Sequence, residues 1–276
     1  MHRRPGSEWA RRGSRTALVV AGILCAARMA AQAGAGELKP FEVDELIAKN
    51  IEARGGLEKI KAIQSMRMTG TMTIGDARMP SVLEVKRPGK TRFEFTLGGQ
   101  TAIQAYDGKT AWVVLPFAGK SEPEPASAED AKDMEIGADM DGPIVDFRSK
   151  GNRVELVGRE KVGDRDAWRL KVTLANGDVR DVYLDAKTYL QFLTVTQRTI
   201  GGKPLEIESA VGDYREVGGV LLPHFFETSA RGLAQKQSVR FDRIELNVAI
   251  DDGRFQMPAA SKPAEKPGPV PTPAAR

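Results

Sequence analysis

The chain has 276 residues, and its 41 Lys and Arg against 37 Asp and Glu give a formal net charge of +4 and a pI of about 9.1. Hydrophobic residues at 41%, with 28 Gly and 16 Pro, make a globular composition long enough for one or two domains with a real core. One Cys and two His exclude an internal disulfide, a Cys/His zinc cage and an iron–sulfur cluster, while the basic balance invites a nucleic-acid or membrane-surface partner.

The first residues account for that basicity. Arg3, Arg4, Arg11, Arg12 and Arg15 precede an apolar run from Ala17 to Ala27, and the pairs Ala31/Ala33 and Ala33/Ala35 both fit an A-x-A cleavage site. This is the layout of a secretory signal peptide, residues 1–33. The apolar run, roughly ten residues, is too short for a bilayer core that needs about 20. Cleavage after Ala33 removes six Arg and one Glu, so the mature chain carries a net charge of −1. That charge offers no overall attraction to a phosphate backbone, and nucleic acid drops out as a partner. Cys25 and His2 leave with the peptide, and Leu24 before Cys25 is not the small residue of a lipidation signal.

From Phe41 to Ala53 the apolar positions Val43, Leu46, Ile47 and Ile51 recur at helical spacing. The pattern halts at Gly55-Gly56, and Leu57, Ile60 and Ile63 start a second short stripe. Period-two alternation follows, with Met66, Met68, Met72 and Ile74 on one face and Arg67, Thr69, Thr71 and Thr73 on the other. Similar runs continue to Gln237–Leu246, joined by turn dipeptides such as Pro88-Gly89, Asp107-Gly108, Asn176-Gly177 and Gly218-Gly219. About eleven strands at this spacing predict an antiparallel meander with no room for crossover helices. The folded domain spans 34–256, and the Pro- and Ala-rich tail 257–276 is predicted to be disordered.

An insertion at about 118–150 interrupts the meander. It holds the acidic Ser121-Glu122-Pro123-Glu124-Pro125, then a helix capped at Ser127 with Asp130 three residues on, carrying Met134, Ile136 and Met140. Such a segment reads as a lid or as cover for a sheet edge.

No G-x-S-x-G elbow and no Gly-rich phosphate loop occurs. His224, within Leu222-Pro223-His224-Phe225-Phe226, reads as structural, since nothing local brings a nucleophile and an acid to it. The pairs Asp139/Asp141, Asp164/Asp166 and Asp251/Asp252 read as solvated turn residues rather than metal ligands or acid–base partners. No catalytic residue, metal or cofactor is expected, and binding is the better reading. A curved sheet with a helix in its mouth encloses an apolar space. The candidate lipid-binding lining is Met66, Met68, Met72, Phe93, Phe95, Trp112, Phe117, Met134, Ile136 and Met140, with flexible methionines suited to disordered acyl chains. Alternation alone does not separate such a lining from an ordinary core.

Val85-Lys86-Arg87-Pro88, then Asp107-Gly108-Lys109-Thr110-Ala111-Trp112 and Pro116-Phe117, resemble the periplasmic lipoprotein carrier and receptor family, LolA/LolB-like. Leu46 to Met72, Asp213-Tyr214-Arg215 with Gly218-Gly219-Val220-Leu221-Leu222-Pro223, and Phe255-Gln256-Met257-Pro258 are similar to it as well, in order along the folded unit. The resemblance implies a mainly β fold, a half-open antiparallel barrel of about eleven strands closed by an N-terminal helix and a lid helix. It also implies a soluble periplasmic carrier, in a Gram-negative bacterium, that takes lipoprotein acyl chains or another lipid toward the outer membrane. An inner-membrane exporter and an outer-membrane receptor are the implied protein partners. In the family the Arg of the K-R-P motif, here Arg87, clasps the lid helices and helps set the closed state. A guanidinium suits that role because it carries several donors, and the plainer reading is a strand-end Arg beside Lys86.

The chain also departs from the family. Thr91 stands where the family places an aromatic, with Phe93 next on the same strand, which bears on handover of cargo; the acidic stretch and the Pro-rich tail are additions. A related fold serves as a sensor domain, so the alternative function is a periplasmic sensor or interaction module that docks or regulates a partner protein.

Overall fold

The computed structural model describes residues 40–200, 203–232 and 236–259. The predicted signal peptide, with His2 and Cys25, and the predicted tail beyond residue 259 lie outside the described residues.

Two helices open the domain. α1 (Pro40–Ala53) buries the stripe Val43, Leu46 and Ile47, and α2 (Leu57–Ala62) buries Ile60. Between them Gly55 and Gly56 adopt φ of 111° and 95°, which favour glycine. A Cβ on Gly55 would clash with the Gly219 carbonyl oxygen, so the helix break is also where the helical pair presses on a strand turn.

The strands are β1 (Ser65–Ile74), β2 (Ala77–Lys86), β3 (Lys90–Leu97), β4 (Gln100–Tyr106), β5 (Ala111–Leu115), β6 (Lys120–Pro125), β7 (Arg153–Val162), β8 (Arg165–Thr173), β9 (Val179–Asp185), β10 (Gln191–Ile200), β11 (Lys203–Val217), β12 (Val220–Ala230) and β13 (Lys236–Leu246). They form one antiparallel sheet in the order β6-β5-β4-β3-β2-β1-β13-β12-β11-β10-β9-β8-β7. The sheet is open, with β6 and β7 as its edges. This is the mainly β, half-open, LolA-like architecture that the sequence predicts, with 13 strands rather than about eleven. The acidic stretch expected to belong to the insertion forms β6, whose Pro123 and Pro125 suit an edge that needs no donors on its free side.

Alternation gives the sheet two faces. Met68, Leu83, Phe93, Gln104 and Val113 align across β1 to β5 on the inner face, and Arg67, Glu84, Arg92, Ala105 and Trp112 align on the outer one. The helices lie on the inner face. α1 packs with Ile144, Phe147, Leu170, Val172, Val182 and Leu184 over β7 to β9. Ile60 and Ile63 pack with Met68, Met72, Met79, Leu222 and Phe241 at the sheet centre. The insertion helix α3 (Ala128–Gly137) starts where Ser127 Oγ accepts from the Asp130 N–H at 3.1 Å, and its Met134 packs on Ala111 and Val113. On the outer face the segment 247–256 straps β2 to β5. Trp112 Nε1 donates to the Phe255 carbonyl at 2.7 Å, and buried Glu84 accepts from Arg67 and Arg254 at 2.9 and 2.6 Å.

Candidate functional site

The insertion returns to the sheet through residues 138–152, and this return is pinned by basic side chains. Arg87, directly after β2, donates Nη2 to Asp141 Oδ1 at 2.5 Å and Nη1 to Asp141 Oδ2 at 3.0 Å. The same guanidinium donates Nε to the Ile63 carbonyl at 2.8 Å and Nη2 to the Ile60 carbonyl at 3.3 Å, at the end of α2. Lys61 reaches Asp141 Oδ2 at 2.5 Å and Asp146 at 2.6 Å, and Arg54 donates to the Asp141 backbone carbonyl at 3.0 Å. Lys150 closes the segment on itself through Asp139 and the Gly142 carbonyl. Three cations from outside, Arg54, Lys61 and Arg87, and Lys150 from within thus hold one short acidic connection.

Asp141 is the centre of this clasp. Its side chain is only 3% exposed. Burial alone would raise its carboxyl, but the hydrogen bonds and charges of Arg87 and Lys61 overcome that, and the pKa falls to about 2. Asp141 raises the pKa of Arg87 in return. The pair is therefore ionised on both sides, and the bidentate geometry fixes direction as well as charge. Asp141, read from the sequence as a solvated turn residue, is corrected to a buried one. Its Asp-Met-Asp-Gly context is a turn signal, and the burial comes from residues distant in sequence.

The predicted lining residues fall into four places. Met68 and Met72 are buried in the central inner-face cluster, with Met66, Phe93, Phe95 and Met140 packed against it. Phe117 lies beside them, its ring centroid 5.9 Å from that of Phe95. Met134 sits in a separate cluster beneath α3 with Ala111 and Val113. Trp112 is a correction: it lies on the opposite face from Phe93, covered by the C-terminal strap. Ile136 and Met140 line a groove of about 870 Å³ that opens beside Arg87, between the lid return, Tyr106 and Leu174. His224 is buried, with Nδ1 3.1 Å from the accepting Leu222 carbonyl.

Chemically, this arrangement covers apolar surface with a segment tied down by ion pairs. Ile60, Ile63 and Met140 lie directly on the methionines and phenylalanines of β1 to β3, and the charged clasp at the rim keeps them there. Among the described residues no group of three or more His, Cys, Asp or Glu is arranged to hold a metal, and no helix is long and apolar enough to cross a membrane.

An open antiparallel sheet with helices on one face is the LolA-like fold, and solved structures share that fold. A DUF1329 family protein from Desulfovibrio piger gives a TM-score of 0.56 at 13% identity, over 78% of this chain and 97% of that one. An outer membrane lipoprotein-sorting protein domain from Vibrio parahaemolyticus gives 0.53 at 14%, over 77% and 97%. A LolA superfamily protein from Nitrosomonas europaea gives 0.53 at 12%, over 78% and 97%. No family model and no curated protein matches the sequence. At these identities the likeness is one of fold.

Proposed function

We propose that this chain is a periplasmic binding protein, exported by its signal peptide, that takes up lipid acyl chains on the inner face under the lid. Lipoprotein acyl chains are the cargo that the fold favours, since one structural neighbour is described as a lipoprotein-sorting domain. The observation that carries the reading is the Arg87–Asp141 clasp, which ties the lid return to the sheet and to α2 over a methionine- and phenylalanine-rich surface. Methionines adapt to disordered chains, and a clasp made of ions can open without breaking the core beneath it. The role is binding and delivery, without chemistry on the cargo. Delivery toward the outer membrane, with an exporter and a receptor as partners, completes the proposal. The test is uptake of a fluorescent fatty acid by the delipidated protein. Saturable binding that Arg87→Leu alters supports the reading, and absence of uptake contradicts it.

A further inference from the structure

We propose that Arg180 receives the oxyanion of a ligand held beneath α3, a carboxylate or phosphate that arrives as the head of an amphiphile or as a free anion. The inference rests on the binding role above and names the chemistry of what is bound. Arg180 projects from β9 on the inner face: its register partners are Val172 on β8 and Thr196 on β10, and Val172 and Val182 both belong to the core under α1. Its Nε is buried without a hydrogen-bond partner while the residue as a whole is half-buried, and among the described residues its guanidinium forms no ion pair. A buried Nε without an acceptor is unfavourable, and native structures leave few buried polar groups unsatisfied. Burial pushes the Arg180 pKa down, while Asp178 opposes this only through space. Asp178 also lies 3.7 Å from Lys132 of α3.

The neighbouring cation is satisfied differently. Arg198 lies two residues beyond Thr196 on the same face of β10, diagonal to Arg180. It is bound by Asp133 and lies 3.8 Å from Glu129, both on α3. Two guanidiniums therefore lie diagonally on one face of β9 and β10, and α3 supplies carboxylates to one of them. When α3 lifts, Arg198 loses Asp133, and two forks on adjacent strands face whatever lies below. Asp133 holds for Arg198 the place that the ligand anion takes for Arg180, which couples anion binding to the position of the lid. The planar fork of donors matches carboxylate and phosphate oxygens.

The test measures binding of palmitate, of hexadecanol with the same chain and a neutral head, and of inorganic phosphate to the purified chain, to Arg180→Gln and to Asp133→Asn. Palmitate is expected to bind about tenfold more tightly than hexadecanol, and Arg180→Gln to bring the two within about twofold while hexadecanol binding is unchanged. Asp133→Asn is expected to tighten palmitate binding. Phosphate binding that Arg180→Gln abolishes supports a free anion as the source; a palmitate preference with no phosphate binding supports an amphiphile head. A palmitate-to-hexadecanol ratio unchanged by Arg180→Gln, with no phosphate binding that depends on Arg180, overturns the assignment and leaves the lipid-binding reading standing. No binding of any of the three overturns both. Removing an unpaired cation should leave the melting temperature of Arg180→Gln at or above that of the parent chain, and a clear fall contradicts its unpaired state.

Discussion

Arg87 and Asp141 meet as fork and carboxylate, with Nη2 2.5 Å from Oδ1 and Nη1 3.0 Å from Oδ2. Arg87 follows directly on β2, Asp141 belongs to the lid return, and the same guanidinium also donates to Ile60 and Ile63 at the end of α2. One side chain therefore joins three parts of the fold.

Replacing Arg87 by Leu leaves Asp141 buried with Lys61 as its closest remaining cation. Breaking one side of a buried pair is expected to destabilise the fold by about 2–4 kcal/mol, the lower end applying because Lys61 persists. Chemical denaturation measures the loss. Hydrogen exchange should quicken over 138–150 and stay slow in β8 and β9, whose core under α1 does not involve Arg87. Uniform loosening of the whole domain would contradict a local clasp.

The clasp also sets an acid limit. Asp141 titrates near 2 in the folded chain against 3.8 for a free side chain, so its contribution is complete above about pH 4 and is lost as pH falls toward 2. A shift of this size corresponds to about 2 kcal/mol. Stability measured from pH 5 to pH 2 should fall less steeply in Asp141→Asn, which has no carboxylate to protonate there. Parallel curves would show that other carboxylates govern the acid limb.

Ser127 starts α3 by accepting from the Asp130 N–H, and its own hydroxyl donates to the Asp130 carboxylate at 2.7 Å. Ser127→Ala is expected to cost about 1 kcal/mol, expressed as faster exchange within α3. If the lid gates entry, fatty-acid uptake should quicken in the same variant.

Trp112 offers the contrasting case. Trp112→Phe removes the bond to the Phe255 carbonyl under the strap, and about 1 kcal/mol of stability should go with it. Fatty-acid affinity should be unchanged, because the ring lies on the outer face. A large loss of affinity in a well-folded Trp112→Phe would contradict the inner-face assignment of the site.

The alternation of Met66, Met68, Met72 and Ile74 is readable because the inner face of β1 is core and its outer face carries Arg and Thr. β5 offers no such contrast. Ala111, Trp112 and Val113 are all buried, since α3 covers one face and the strap the other, so nothing in the pattern tells which face Trp112 takes. β6 is equally hidden. Its Glu and Pro residues have little strand propensity, and it is a strand because β5 offers it an edge to pair with. The K-R-P motif singles out Arg87, but its carboxylate partner comes from a turn-like stretch whose burial depends on Arg54, Lys61 and Arg87 together. Arg180 gains meaning only once the register sets it beside Thr196, one diagonal step from Arg198, which pairs with α3.

The most direct measurement is native mass spectrometry of the mature protein purified without detergent, with the bound species extracted and identified. Acyl-bearing lipid in near-stoichiometric amount, displaced by added palmitate and retained less firmly by Arg87→Leu, is the predicted result. A chain that emerges lipid-free and gains no adduct on incubation with fatty acid or lipoprotein would contradict the account.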